Sequence, residues 1–143
     1  MYRSWQVTVA TIPLLLSMFL LLVSSAAGDV TDMTATKPVL KSDSVPLRPL
    51  AVGDQGIFLS TDVRSHLNET STFAVIMEAR DSDGVTQFLD SQFGLIRPEA
   101  LVNVGIPWTP ERAGTYEVRT FVVSGTVNPQ VYSPVASSYF TVE

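Results

Sequence analysis

The chain of 143 residues contains no cysteine and a single histidine, His66. The first absence excludes disulfide staples, thiol nucleophiles, thiolate zinc sites and iron–sulfur clusters together. The second leaves zinc and copper without the two or three imidazole or thiolate ligands their usual geometries need, blue copper included. Positive charge is also scarce. Nine Lys and Arg stand singly along the chain against 14 Asp and Glu, a formal net charge of −5. Phosphate binding needs clustered basic residues, so no nucleic-acid partner is expected. A serine hydrolase would need an activated nucleophile, but no Gly-x-Ser-x-Gly elbow occurs and His66 with Asp62 makes no recognisable triad. No catalytic residue and no cofactor is expected. Helical spacing is almost missing after residue 28, with at most one turn at Pro98 to Leu101.

What is present begins with an apolar N-terminus. In "MYRSWQVTVATIPLLLSMFLLLVSSAAGD", Arg3 gives a positive start, Val7 to Val23 an apolar run, and Ser24 to Ala27 a small-residue exit. That layout reads as a signal peptide over residues 1–27, cut after Ala26 or Ala27. The alternative is a retained membrane anchor, since the run is just long enough to cross about 30 Å of hydrocarbon. Either route puts residue 29 onward outside the cytoplasm, because Arg3 stays inside. A filament subunit of pilin type resembles the arrangement in outline, but Arg3-Ser4 is a poor processing site and Pro13 would kink the packed helix. Residues 28–46 are rich in Thr, Ser, Asp and Lys with no sustained period, and read as a flexible tether, a short strand at Val39-Leu40 being without support.

From residue 47 to 143 apolar side chains recur with period two, the strand signal. Ile57, Leu59, Thr61 and Val63 share one face; so do Phe73, Val75, Met77 and Ala79, opposite Glu78 and Arg80. Asp83-Gly84 closes a hairpin into "VTQFLDSQFGLI", an irregular stretch expected at a sheet edge. Val102, Val104, Ile106 and Trp108 alternate next, followed by Tyr116, Val118 and Val122, and finally Phe140 and Val142. About seven short strands without a crossover-helix pattern predict an all-β antiparallel sandwich of immunoglobulin or fibronectin-III type, preceded by an N-terminal hydrophobic helix. In "WTPERAGTYEV", Trp108 ends one strand, Pro110 and Gly114 make a corner, and Tyr116 begins the next strand, whose hydroxyl is expected to bond back to the corner. Trp108 and Tyr116 are expected as core anchors, with stacking of a carbohydrate on Trp108 as the functional alternative.

Val52-Gly53, Asp81-Ser82-Asp83-Gly84 and Trp108 to Tyr116 together resemble the immunoglobulin-like modules of secreted and surface proteins of prokaryotes, particularly exported proteins of ammonia-oxidising archaea. The resemblance covers roughly residues 50 to 143. It implies an extracellular or cell-surface module and no activity.

Four sets of residues then compete for a functional role. Asp81 and Asp83 resemble the start of a calcium loop, helped by Asp54 or Glu111, but the distal bidentate glutamate is missing and an Asx turn explains them as well. Glu78, Asp81 and Asp83 could supply a carboxylate pair for sugar hydrolysis. Asn68-Glu69-Thr70 is a glycosylation sequon in an expected loop. Val131 and Tyr132, in "SGTVNPQVYSP", are candidate contacts, as are the loop "HLNETS" and any open edge strand. The expected function is an exported, non-enzymatic binding or structural module. Its partner would be a protein or surface polymer, with the membrane reached through an uncleaved N-terminus. The alternatives are a filament or coat subunit, a metal-binding accessory domain and a small hydrolase.

Overall fold

Strands with one apolar face need a second layer to cover it, and two sheets do this for each other. The computed structural model describes residues 32–43 and 49–143. Eight strands form among them: β1 (Met33–Ala35), β2 (Val39–Ser42), β3 (Ile57–Ser65), β4 (Ser71–Arg80), β5 (Thr86–Ile96), β6 (Leu101–Pro107), β7 (Gly114–Val123) and β8 (Ala136–Val142). In the first sheet β3 is central, with β6 on one side and both β1 and β2 on the other. The second runs β5-β4-β7-β8, antiparallel throughout. The chain changes sheet between β3 and β4, between β5 and β6, and between β6 and β7. Between the sheets lie Leu59, Val63, Val75, Met77, Val104, Ile106, Val118 and Val122, all buried. Each such side chain contributes roughly 1.5–3 kcal/mol on leaving water. Thr61 and Thr120 share this interior.

The segment expected as a tether is structured from residue 32 to 43. Met33–Ala35 pairs with 63–65 and Val39–Ser42 with 57–60, making one edge broken in the middle. Pro38 has no N–H for a ladder, which interrupts the edge. Thr36 holds the gap: its N–H donates to the Asp62 carbonyl (3.0 Å) and its hydroxyl accepts the Asp62 N–H (2.9 Å). The polar composition hid these strands because an edge lying on β3 needs few anchoring side chains: Met33, at 0% exposure, is the fully buried one, with Ala35 and Leu40 packed beside it on the core. The expected N-terminal helix and signal or anchor, residues 1–27, lie outside the described residues. No helix among the described residues is long and apolar enough to cross a membrane.

The corner between β6 and β7 closes one end. Trp108 and Tyr116 are both buried, their rings edge to face at 5.5 Å, and Phe88 lies 6.4 Å from Trp108 on the other side. The Tyr116 hydroxyl donates to the Arg112 carbonyl at 2.8 Å. Pro110 is buried and its carbonyl accepts the Gly53 N–H (2.8 Å), tying the segment before β3 to the corner. Gly53 (φ 79) and Gly114 (φ 143) adopt backbone angles that side chains with a Cβ avoid. In place of the one helical turn expected at Pro98 to Leu101, Arg97 to Ala100 make a turn closed by the Ala100 N–H donating to the Arg97 carbonyl, and Leu101 already begins β6.

Candidate interaction surface

The residues suspected of chemistry are taken up locally. At the β4–β5 hairpin the Asp81 carboxylate accepts the N–H groups of Asp83 (3.0 Å) and Val85 (2.9 Å) on one oxygen and the Gln87 amide (2.7 Å) on the other. The Val85 bond leads in holding the Asp81 carboxyl below its usual range. This is an Asx turn. Among the described residues no group of three His, Asp or Glu is placed to hold a metal ion. A cleft of about 200 Å³ separates the hairpin from the corner, lined by Asp81, Asp83, Gln87, Arg112 and Tyr116. That is below the roughly 300–1,000 Å³ of a small-molecule pocket.

Glu78 sits on the outer face of β4, where Arg80 Nε (2.9 Å) and Arg119 Nη1 (3.6 Å) approach its two oxygens and the Thr86 hydroxyl donates to one of them. The Arg80 bond, then the Thr86 bond, hold its pKa below the ordinary 4.5. A general acid for sugar hydrolysis requires a raised pKa, so Glu78 and Asp81 are tuned in the opposite direction. His66 is exposed and shares a hydrogen bond with the Thr34 hydroxyl (3.3 Å). Trp108 is 4% exposed, so carbohydrate stacking on its face is ruled out. Asn68 is exposed between β3 and β4.

The two candidate contacts in the β7–β8 connection separate. Val131 is exposed, and bridges to Val123. Tyr132 instead packs against the core. Its N–H donates to the Val122 carbonyl (2.8 Å), and its carbonyl accepts the Met33 N–H (2.8 Å). Its backbone joins the two sheets, and because its side chain packs against the core, truncating it costs packing and cannot report on surface contact alone.

The surface that the sequence reading missed is the outer face of the second sheet. Phe73, Val75, Met77 and Ala79 point inward, so their neighbours in β4 point out. The register pairs Leu89 with Glu78, Phe93 with Ala74 and Leu95 with Thr72. Leu89, Phe93 and Leu95 are 64%, 52% and 70% exposed. Ile76 and Phe121, cross-strand partners on the same face, are half-buried. The solvent side of an antiparallel sheet is ordinarily polar. Here three large side chains present on the order of 400 Å² of apolar surface, within the range of functional patches on monomers. The signal was the shared parity of Leu89, Phe93 and Leu95. Phe88 and Ile96 on the opposite parity made the strand read as irregular.

The free edge of β5 is less open than this face. The Ser91 N–H donates to the Asp90 carboxylate (2.7 Å) and the Gln92 amide donates to the Phe93 carbonyl (3.3 Å). A donor and an acceptor midway along the strand are therefore already engaged by its own side chains. An inward-pointing charge such as Asp90 is a known device against strand addition.

The chain matches no protein-family model and no curated protein. Among solved structures it is similar to a β-glucuronidase of glycoside hydrolase family 2, with a TM-score of 0.60 and 11% identity over 78% of this chain. It spans only 13% of that enzyme's length. A CARDB domain from Pyrococcus furiosus, solved in complex with di-metal ions, gives a TM-score of 0.54 and 15% identity, covering 78% of this chain and 88% of that one. The DNA glycosylase AlkC of Pseudomonas fluorescens, bound to DNA containing an abasic site analog, gives 0.54 and 13%, covering 79% of this chain and 31% of that one. At these identities the likeness shows the fold: an immunoglobulin-like β-sandwich.

Proposed function

We propose that the protein is an exported, non-enzymatic module, acting at the cell surface or outside the cell by binding or structural association through the outer face of its β5-β4-β7-β8 sheet. The carrying observation is the exposed row Leu89, Phe93 and Leu95, which the described residues leave more than half in water, an arrangement that costs solubility. Support from chemistry points the same way, since Asp81 and Glu78, two of the three carboxylates suspected of catalysis, are tied into a turn and an ion cluster. Proteins with different activities carry this fold, so it names no activity itself. The N-terminal "VTVATIPLLLSMFLLLVSSAA" supports export, either cleaved or retained as an anchor. The sequon at exposed Asn68 would carry a glycan in a host that glycosylates it, which mass spectrometry of native protein reads directly.

The test is the double substitution Leu89→Lys with Leu95→Lys, expressed in the native host. Both positions are largely exposed, so the melting temperature should stay within a few degrees while retention at the cell surface or on a partner falls. Equal retention of variant and wild type would remove this face from consideration.

A further inference from the structure

We propose that the end of the sandwich where the chain enters rests on a bilayer surface, held there by Val7 to Val23. The inference rests on the retained-anchor form of the reading above. Its first observation is where the described chain begins. The Asp32 carbonyl accepts the His66 N–H (2.9 Å), which fixes Asp32 at the end carrying the β3–β4, β5–β6 and β7–β8 connections. Only Ser24 to Thr31 separates the apolar run from this point, a reach of at most roughly 28 Å when fully extended. The ten residues of β4 alone span about 33 Å. An anchored run therefore keeps this end of the sandwich closer to the bilayer than the far end.

The second observation is what that end presents. Leu95 at the end of β5, Leu101 at the start of β6, and Val127 and Val131 in the β7–β8 connection are all exposed, Val127 at 83%. Leu101 pairs with Arg64 at the tip of the first sheet, and Val131 bridges to Val123 at the tip of the second, so apolar side chains crown both layers. Val127 rides on a closed loop, the Ser124 N–H donating to the Gln130 carbonyl (2.9 Å) and the Gln130 N–H to the Ser124 hydroxyl (2.9 Å). The loop presents its valine without a large ordering cost on contact.

Charge selects the kind of surface. The chain is acidic overall, at −5, yet this end sets Arg64 and Arg97 against Asp32, Glu69 and Glu99, a formal −1 with His66 counted neutral as in the total. A near-neutral apolar end suits a zwitterionic bilayer, where apolar side chains settle about 5–10 Å into the headgroup–acyl boundary.

Because the chain is free of cysteine, a single thiol can be placed at will. The full chain carrying Val127→Cys, Leu101→Cys or, at the far end, Val85→Cys would be labelled with a nitroxide and reconstituted with phosphatidylcholine vesicles. Flotation reads anchoring; spin-label accessibility to oxygen and to an aqueous nickel complex reads contact. The expected result is a floating protein whose labels at 127 and 101 gain oxygen access and lose nickel access, while the label at 85 stays aqueous. A floating protein with all three labels aqueous overturns the inference and leaves the anchor standing. Failure to float overturns both. Shielding of all three positions alike overturns the orientation.

Discussion

Replacing Tyr116 by Phe removes one atom and tests the corner that joins the two sheets. The lost hydroxyl donates to the Arg112 carbonyl at 2.8 Å from a side chain that is 3% exposed. A hydrogen bond of this kind contributes a net 0.5–1.5 kcal/mol or thereabouts, and a carbonyl left unpaired costs about 1–3 kcal/mol if it stays dry. Arg112 and its neighbours are exposed, so the carbonyl recovers water when the corner loosens, which places the expected loss at roughly 1–2 kcal/mol. The ring stays, and with it the edge contact to Trp108 at 5.5 Å, so packing is not the variable. For a domain of this size that loss lowers the melting temperature by on the order of 5–10 °C. Urea denaturation of Tyr116→Phe should shift the midpoint with an unchanged slope. Tyr139, largely exposed on β8, gives the control, since Tyr139→Phe should be silent. If Tyr116→Phe is as stable as wild type to within about 0.3 kcal/mol, the bond to Arg112 does not hold the corner.

Thr120 is fully buried and its hydroxyl finds no partner among the described residues, so Thr120→Val should stabilise by about 1 kcal/mol, read by the same urea titration. Gly94 lies opposite Phe73 across β5 and β4, and a Cβ there would stand 2.9 Å from the Phe73 ring; Gly94→Ala should destabilise by about 1–3 kcal/mol because that ring is held in the core. Glu78 has its pKa lowered in the folded state, so its stabilising effect is present above about 4.5 and is lost as pH falls through the lowered value. Glu78→Gln should flatten that acid limb of the stability profile, and a limb of unchanged steepness would show that the ion cluster with Arg80 and Arg119 is not its origin.

The inward faces of β3, β4, β6 and β7 were legible because each packs one side on the core and leaves the other in water, which is the condition for period two. The corner was legible because Trp, Pro, Gly and Tyr each have a backbone or packing reason to stand where they do. β1 and β2 were not, since a short edge strand is stabilised by pairing with β3 and contributes little hydrophobic pattern of its own. Tyr132 looked like a loop contact because nothing local shows that its backbone bridges Val122 and Met33. Val131, one residue earlier, stands opposite Val123 in a bridge whose hydrogen bonds come from Gln130 and Tyr132 beside it, and its side chain is in solvent; no rule of composition separates the two.

What the residues determined alone is the absence of any thiol chemistry and the alternation of faces in the strands, because both depend on side-chain type and on the two-residue period of an extended backbone. Tertiary structure alone decided which of two apolar rows on β5 became core and which became surface. That choice is one of register: pairing Ala79 with Phe88 and Glu78 with Leu89 sends Phe88 toward Trp108 and leaves Leu89, Phe93 and Leu95 in water. A slip of one residue would exchange the two rows, and only the partner strand prevents it.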